Sequence, residues 1–217
     1  MRAGLQPADD VLDVGCGAGR MARPLAGWLE GTYEGFDVVE APLRWCRRKI
    51  STRHPNFTFT HLDVANDVYN PNGRIAAAEL RFPYPDDRFS FAVLTSVFTH
   101  MLATDLLQYL DELARVVRPG GRILATYFLL DRDSESSLAE GRSMIAFPAR
   151  QTDGPLAPYR LTDDARPASA IAYPRSAIES AHAARGLAIK EVWPGRWARP
   201  APAPAPAFQD ATVSVAE

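Results

Sequence analysis

Val11-Leu12-Asp13-Val14-Gly15-Cys16-Gly17-Ala18-Gly19-Arg20 decides the architecture of this chain: four strand-type residues run into glycines on alternate positions and then into a helical pattern. Glycine is required where the chain turns sharply, and where the backbone must come close to a ligand lying over the carboxyl end of the strand. Strand, glycine loop and helix together predict a nucleotide-binding corner. The spacing alone leaves the ligand open. Counted from Gly15, a dinucleotide fingerprint (Gly-x-Gly-x-x-Gly or Ala) fails at Arg20, whereas Gly17-Ala18-Gly19-Arg20-Met21-Ala22 satisfies it with a turn two residues late.

Asp13 bears on the choice. A carboxylate beside the loop disfavours a pyrophosphate and suits a ligand carrying ammonium and sulfonium charges. S-adenosylmethionine is such a ligand. Val11 to Arg20 resembles motif I of the class I S-adenosylmethionine-dependent methyltransferases: a hydrophobic pair, an acid, then Gly-x-Gly-x-Gly. The resemblance implies a Rossmann-like α/β fold, a doubly wound sheet of seven mostly parallel strands with an antiparallel last strand and helices on both faces. It also implies that Asp13, Gly15, Cys16, Gly17, Gly19 and Arg20 surround the cofactor, with Arg20 available to its carboxylate. Cys16 is read as a small packing residue of the loop, and catalysis by its thiol is not expected.

Further acids lie at strand ends. Asp37 closes the predicted strand Thr32–Val38, roughly 20 residues after the glycine loop, where a ribose-binding acid is expected in this architecture. Glu40 is the alternative, and Val38 belongs to the same strand end. A nicotinamide cofactor would use such an acid equally. Asp63, in His61-Leu62-Asp63-Val64, matches the place where the family carries an acid that bonds the adenine amino group, so Asp63 and Val64 join the implied cofactor site. Phe89 to Met101 resembles the family's fourth-strand motif, with Ser96 and Val97 implied to line the methionine end. Leu113 to Arg122 resembles the helix, turn and strand that follow. The family pattern has Asp where this chain has Ser90, which weakens one expected contact at the start of that strand.

Periodicity outlines the remainder. Helices are predicted over Ala18–Leu29, with Pro24 awkward inside it, over Leu43–Arg53, and over Asp105–Val117 capped by Thr104. Strands are predicted over Phe57–Leu62, Phe89–Thr95, Arg122–Leu129, Leu187–Trp193 and Phe208–Val215. Pro119-Gly120-Gly121 is read as the stop of the third helix. Pro174 marks the start of a late helix that Gly186 ends. The polar connection from Asn66 to Asp87 is long enough to suggest a functional excursion. Residues 130–173 read as a cover or specificity segment, in which Tyr159 and Arg160 are candidate substrate contacts. Residues 195–207 read as a Pro-rich loop.

The length of 217 residues suits a single methyltransferase domain spanning 1–217. With 24 basic and 26 acidic residues the formal charge is −2, and Arg44, Arg47, Arg48 and Lys49 read as the wet face of a helix. No nucleic-acid partner is therefore expected. No apolar run approaches the roughly 18 residues that span a bilayer, and no signal peptide is seen, so the expectation is a cytoplasmic protein without a membrane partner. Cys16 and Cys46, two cysteines in all, form neither a metal cluster nor a disulfide framework.

These readings converge on methyl transfer from S-adenosylmethionine to a small-molecule acceptor, with a hydroxyl oxygen favoured. In-line displacement asks mainly for orientation and removal of a proton. His100, just after the fourth strand, is the candidate base; His54, His61 and His182 read as structural. A cofactor-binding module without turnover and a nicotinamide-dependent oxidoreductase are the competing expectations. Ten residues precede Val11, so the expectation is that the cover segment or a second subunit closes over the acceptor, in a monomer or a homodimer, or that the chain is a shortened relative.

Overall fold

A computed structural model describes residues 2–198 and 207–217. In chain order the elements are β1 (Val11–Val14), α1 (Ala22–Leu25), β2 (Tyr33–Asp37), α2 (Glu40–Cys46), β3 (Phe57–His61), β4 (Phe89–Leu94), α3 (Ala103–Val116) and β5 (Val117–Leu130). They continue with α4 (Arg132–Ala139), β6 (Ala149–Gln151), β7 (Tyr159–Leu161), β8 (Ile171–Pro174), α5 (Arg175–Ala183), β9 (Leu187–Trp193) and β10 (Asp210–Ala216).

The main sheet runs β3-β2-β1-β4-β5-β10-β9. Neighbours from β3 to β5 are parallel, and β10 is antiparallel to both β5 and β9. This is the doubly wound sheet with one reversed strand that the sequence predicts. β1 sits between β2 and β4, so the chain leaves it first to one side and then to the other. The resulting crevice lies beyond the carboxyl end of β1, where ligands bind in open α/β sheets.

Side chains alternate across β1. Leu12 and Val14 join Leu94 and the α3 residues Leu106, Leu110 and Leu113 on one face. Val11 joins Leu25, Leu43, Ile50 and Phe57 on the other, beneath α1 and α2. Asp13 shares the parity of Val11 and is therefore buried on that second face. A third cluster packs Phe128 and Leu130 of β5 against Phe147 and Trp197. It is fastened by Asp210, whose carboxylate accepts from Gly195 N–H (2.7 Å), Leu129 N–H (2.8 Å) and the Trp197 indole N–H (2.6 Å).

Several expected boundaries differ. The first helix shrinks to Ala22–Leu25, because Gly19 (φ +73°) and Gly27 (φ +88°) are left-handed on either side of it. α2 passes into a π-helical turn at Arg47–Ser51. α3 begins with Leu102 as its cap, without a capping side chain, and Thr104 lies inside the first turn; the buried stripe starts at Ala103 and draws the helix start toward it. Pro119-Gly120-Gly121 does not interrupt β5 but bulges from it: pairing jumps from Phe89↔Val117 to Phe91↔Arg122, so one residue of β4 faces four of β5. The cover segment holds α4 and the short strands β6, β7 and β8, which were not expected. β8 runs parallel to the end of β5, with Phe128↔Ala172 and Leu130↔Pro174 paired. Residues 199–206, the proline-rich core of the expected loop, lie outside the described residues.

Candidate active site

All three loop glycines are left-handed, with φ of +70° at Gly15, +52° at Gly17 and +73° at Gly19. Gly15 and Gly19 also need the space, the latter because a Cβ there would fall 3.0 Å from Ile50 Cδ1. A Cβ on Gly15 would fall 2.6 Å from Val97 Cγ2, whereas one on Gly17 would meet nothing within 4 Å and would point into open space. The loop is tied to β2. Gly15 N–H and Cys16 N–H both reach the carbonyl of Phe36, at 2.9 and 3.0 Å. Asp37 then accepts Gly17 N–H through Oδ2 (2.7 Å) and Val39 N–H through Oδ1 (2.8 Å). Val38 is held from behind, since its carbonyl lies 3.1 Å from His61 Nε2.

Asp13 is buried, and one of its oxygens accepts the hydroxyl of Tyr33. The other, Oδ1, has no hydrogen-bond partner. Burial pushes this carboxyl up to about 7; the Tyr33 hydroxyl opposes that rise and the charge of Asp37 adds to it. Cys16 packs its sulfur over Gly35, where a Cβ would come within 2.9 Å of it. Burial drives the Cys16 thiol far up and the Cys46 thiol to about 11, so neither offers a thiolate near neutral pH.

Two cavities meet at the loop. One, of about 230 Å³, is lined by Val14, Gly15, Asp37, Val38, Val64, Ser96, Val97, His100, Asp105 and Tyr109, among others. The second, broader and of about 710 Å³, lies over Asp13, Gly15, Cys16, Gly17, Arg20, Thr95 and Ser96. Gly15 and Ser96 belong to both. Gly19 lines neither; its α-carbon faces Ile50 and Cys46, so it serves the turn.

Ser96 is itself left-handed (φ +60°). Its N–H donates to Thr126 Oγ1 (2.8 Å), its hydroxyl donates to Gln209 Oε1 (3.0 Å), and the Thr126 hydroxyl donates to the same oxygen (2.8 Å). Thr126 and Gln209 were not anticipated, because their proximity exists only once β4, β5 and β10 pair. Ser90, the departure from the family pattern, keeps a strand-start contact: its hydroxyl donates to Asp9 Oδ1 (2.7 Å) and accepts Asp10 N–H (2.9 Å).

His100 donates Nδ1–H to the Ala168 carbonyl at 3.0 Å, since a carbonyl can only accept. That bond fixes the tautomer and leaves Nε2 with the lone pair when the ring is neutral. The ring of Tyr69 packs edge-on against it, 5.5 Å between centroids. His182 is structural: it is buried between the Tyr127 hydroxyl (2.9 Å) and Ser214 Oγ (3.0 Å), and burial lowers it to about 4.

Asp63 follows the end of β3, where an adenine contact is expected. Its carboxylate accepts from Arg74 Nε (2.5 Å) and Asn70 Nδ2 (3.2 Å), and these bonds lower its pKa. Its neighbours Val64 and Ala65 line the cavity, and Asp63 does not. The competing donors were hidden in the sequence by their positions seven and eleven residues further on.

The residues present fit an adenosyl amino acid. Left-handed glycines leave room above β1, Asp37 ends β2 facing the crevice, and an unpartnered oxygen of Asp13 lies below the loop, suited to a cation.

A family model described as a methyltransferase domain matches residues 11–121. The chain belongs to the methyltransferase domain family, whose methyl donor is S-adenosylmethionine. It is similar to the methyltransferase GfsG of Streptomyces halstedii, 32% identical over 113 residues, which cover 52% of this chain and 35% of that protein. The fatty-acid O-methyltransferase of Mycolicibacterium smegmatis is 33% identical over 117 residues, covering 54% of this chain and 36% of the relative. The chain thus spans little more than a third of the length of these relatives. Among solved structures, the Burkholderia thailandensis 1,6-didemethyltoxoflavin-N1-methyltransferase, with S-adenosylhomocysteine bound, shares the fold. Its TM-score is 0.59 at 15% identity, over 96% of this chain and 71% of that one. The cyclase SpnF shares it too, with a TM-score of 0.55 at 19% identity over 87% and 55% of the two chains.

Proposed function

We propose that this chain binds S-adenosylmethionine across the two joined cavities and transfers its methyl group to a small-molecule acceptor in the cytoplasm, at a hydroxyl oxygen. The observation that carries the reading is Asp37 clasping the left-handed glycine loop at the switch point of the sheet, with His100 on the wall of the same cavity. The donor, when bound, supplies an electrophilic methyl on a sulfonium. Asp37 accepts from the ribose hydroxyls. Gly15, Cys16, Gly17, Val38, Val64, Ser96 and Val97 shape the walls, and Asp13 and Arg20 provide opposite charges for the amino acid end. His100, oriented through Nδ1, takes the acceptor proton at Nε2.

The test is incubation with methyl-labelled S-adenosylmethionine and metabolite extract. Label should enter a small molecule, and His100→Ala should lose transfer while keeping cofactor affinity. Full transfer by that variant removes His100 as base. A second reading, a cofactor-binding protein that does not transfer methyl, is favoured by the shared fold of SpnF, a cyclase by name. It predicts cofactor binding with no labelled product.

A further inference from the structure

Ser96 stands at the junction of the two cavities, and among the described residues it is one of three outside glycine with a left-handed backbone. Such a conformation is strained for an L residue and persists where the surroundings impose it. Here it turns the chain so that Val97 closes on the glycine loop, its Cγ2 lying 2.6 Å from the place of a Cβ on Gly15. The groups that impose it come from other strands. Leu94, the last residue of β4, pairs with Ala125 of β5, and Thr126 pairs with Ala211 of β10. That register brings Thr126 and Gln209 beside Ser96. Thr126 Oγ1 accepts the Ser96 N–H (2.8 Å), while Gln209 Oε1 accepts both the Thr126 hydroxyl (2.8 Å) and the Ser96 hydroxyl (3.0 Å). At the other end of the amide, Gln209 Nε2 donates to Oγ1 of the buried Thr99 (3.4 Å).

We infer that Gln209 is a positioning residue of the site, which holds Ser96 left-handed at the cavity junction and so keeps Val97 against Gly15. Gln209 lines neither cavity, so it acts through Ser96 and not by touching a ligand. A hydroxyl is a rotor with one proton and two lone pairs. With its proton committed to Gln209, the Thr126 hydroxyl turns a lone pair toward the Ser96 N–H. Loss of the amide frees both hydroxyls at once, and Ser96 then relaxes from its strained turn. The importance of this for binding rests on the cofactor reading above.

Amide hydrogen exchange on the ligand-free protein, beside calorimetric titration with S-adenosylhomocysteine, tests it. Gln209→Met keeps the length of the side chain and loses its hydrogen bonds. Its Ser96 amide should exchange about tenfold faster while the ladder amides of β5 and β10 keep their rates, and its affinity should fall about tenfold. Gln209→Glu still accepts both hydroxyls and should restore both readouts to near wild type. Ser96→Gly takes the left-handed turn unaided, so adding Gln209→Met to it should cost about threefold or less in affinity. Equal acceleration of exchange along the β5–β10 ladder, or the full tenfold loss in the Ser96→Gly background, makes Gln209 merely structural and overturns the inference. Failure of wild-type protein to bind S-adenosylhomocysteine overturns the cofactor reading instead, and the exchange rate at Ser96 still decides the positioning.

Discussion

Gly17 donates its backbone N–H to Asp37 Oδ2 at 2.7 Å, so the tip of the glycine loop and the end of β2 are joined through one carboxylate. The same group holds Val39 N–H at 2.8 Å. Asp37→Ala strands both backbone donors and removes the ribose acceptor. Affinity for S-adenosylhomocysteine should fall by about 1–3 kcal/mol, measured by calorimetry. Unchanged affinity would separate Asp37 from the cofactor.

Two glycines of one loop should respond differently to alanine. Left-handed backbone costs an L residue roughly 1–2 kcal/mol at either site. At Gly15 the new methyl also meets Val97 Cγ2 at 2.6 Å; at Gly17 it meets no protein atom within 4 Å. Gly15→Ala should therefore melt lower than Gly17→Ala, while Gly17→Ala keeps its fold and loses cofactor affinity. A Gly17→Ala protein that is folded and binds normally would show that no ligand comes near this carbon.

The buried Asp13 should make apo-protein stability depend on pH. Its carboxyl ionises near 3.8 when unfolded and about 7 when folded. Between those values the folded state holds a proton that the unfolded chain has released, so stability declines as pH rises through this window and levels off above it. Asp13→Asn removes the decline, an effect of a few kcal/mol at most. The variant should match wild type in melting temperature near pH 4, exceed it at pH 8, and bind the cationic cofactor less well. Parallel melting profiles across the window would contradict the account.

The elements legible in the sequence are those with sustained local patterns. β1 with its glycines, the Leu106-Leu110-Leu113 stripe of α3 and the strand ending at Asp37 each declare themselves within about fifteen residues. Strands β6 and β7 have three residues each, too few for a period to register, and β8 exists because β5 runs on past the end of β4. Within the site, Asp37 was readable because its distance from the glycine loop is set by one β-α-β step. Gln209 was not: it meets Ser96 across 113 residues, through strand pairings that no local pattern encodes. Asp63 illustrates the converse limit. Its position was readable, but the direction of its carboxylate depends on Arg74 and Asn70.

The central claim is that the crevice over β1 holds an adenosyl amino acid. Calorimetric titration of the protein with S-adenosylhomocysteine, beside a matched titration with NAD, tests it most directly. The account predicts saturable binding of S-adenosylhomocysteine at one site per chain, weakened in Asp37→Ala by about 1–3 kcal/mol, and no heat with NAD. Saturable NAD binding with none for S-adenosylhomocysteine would contradict it.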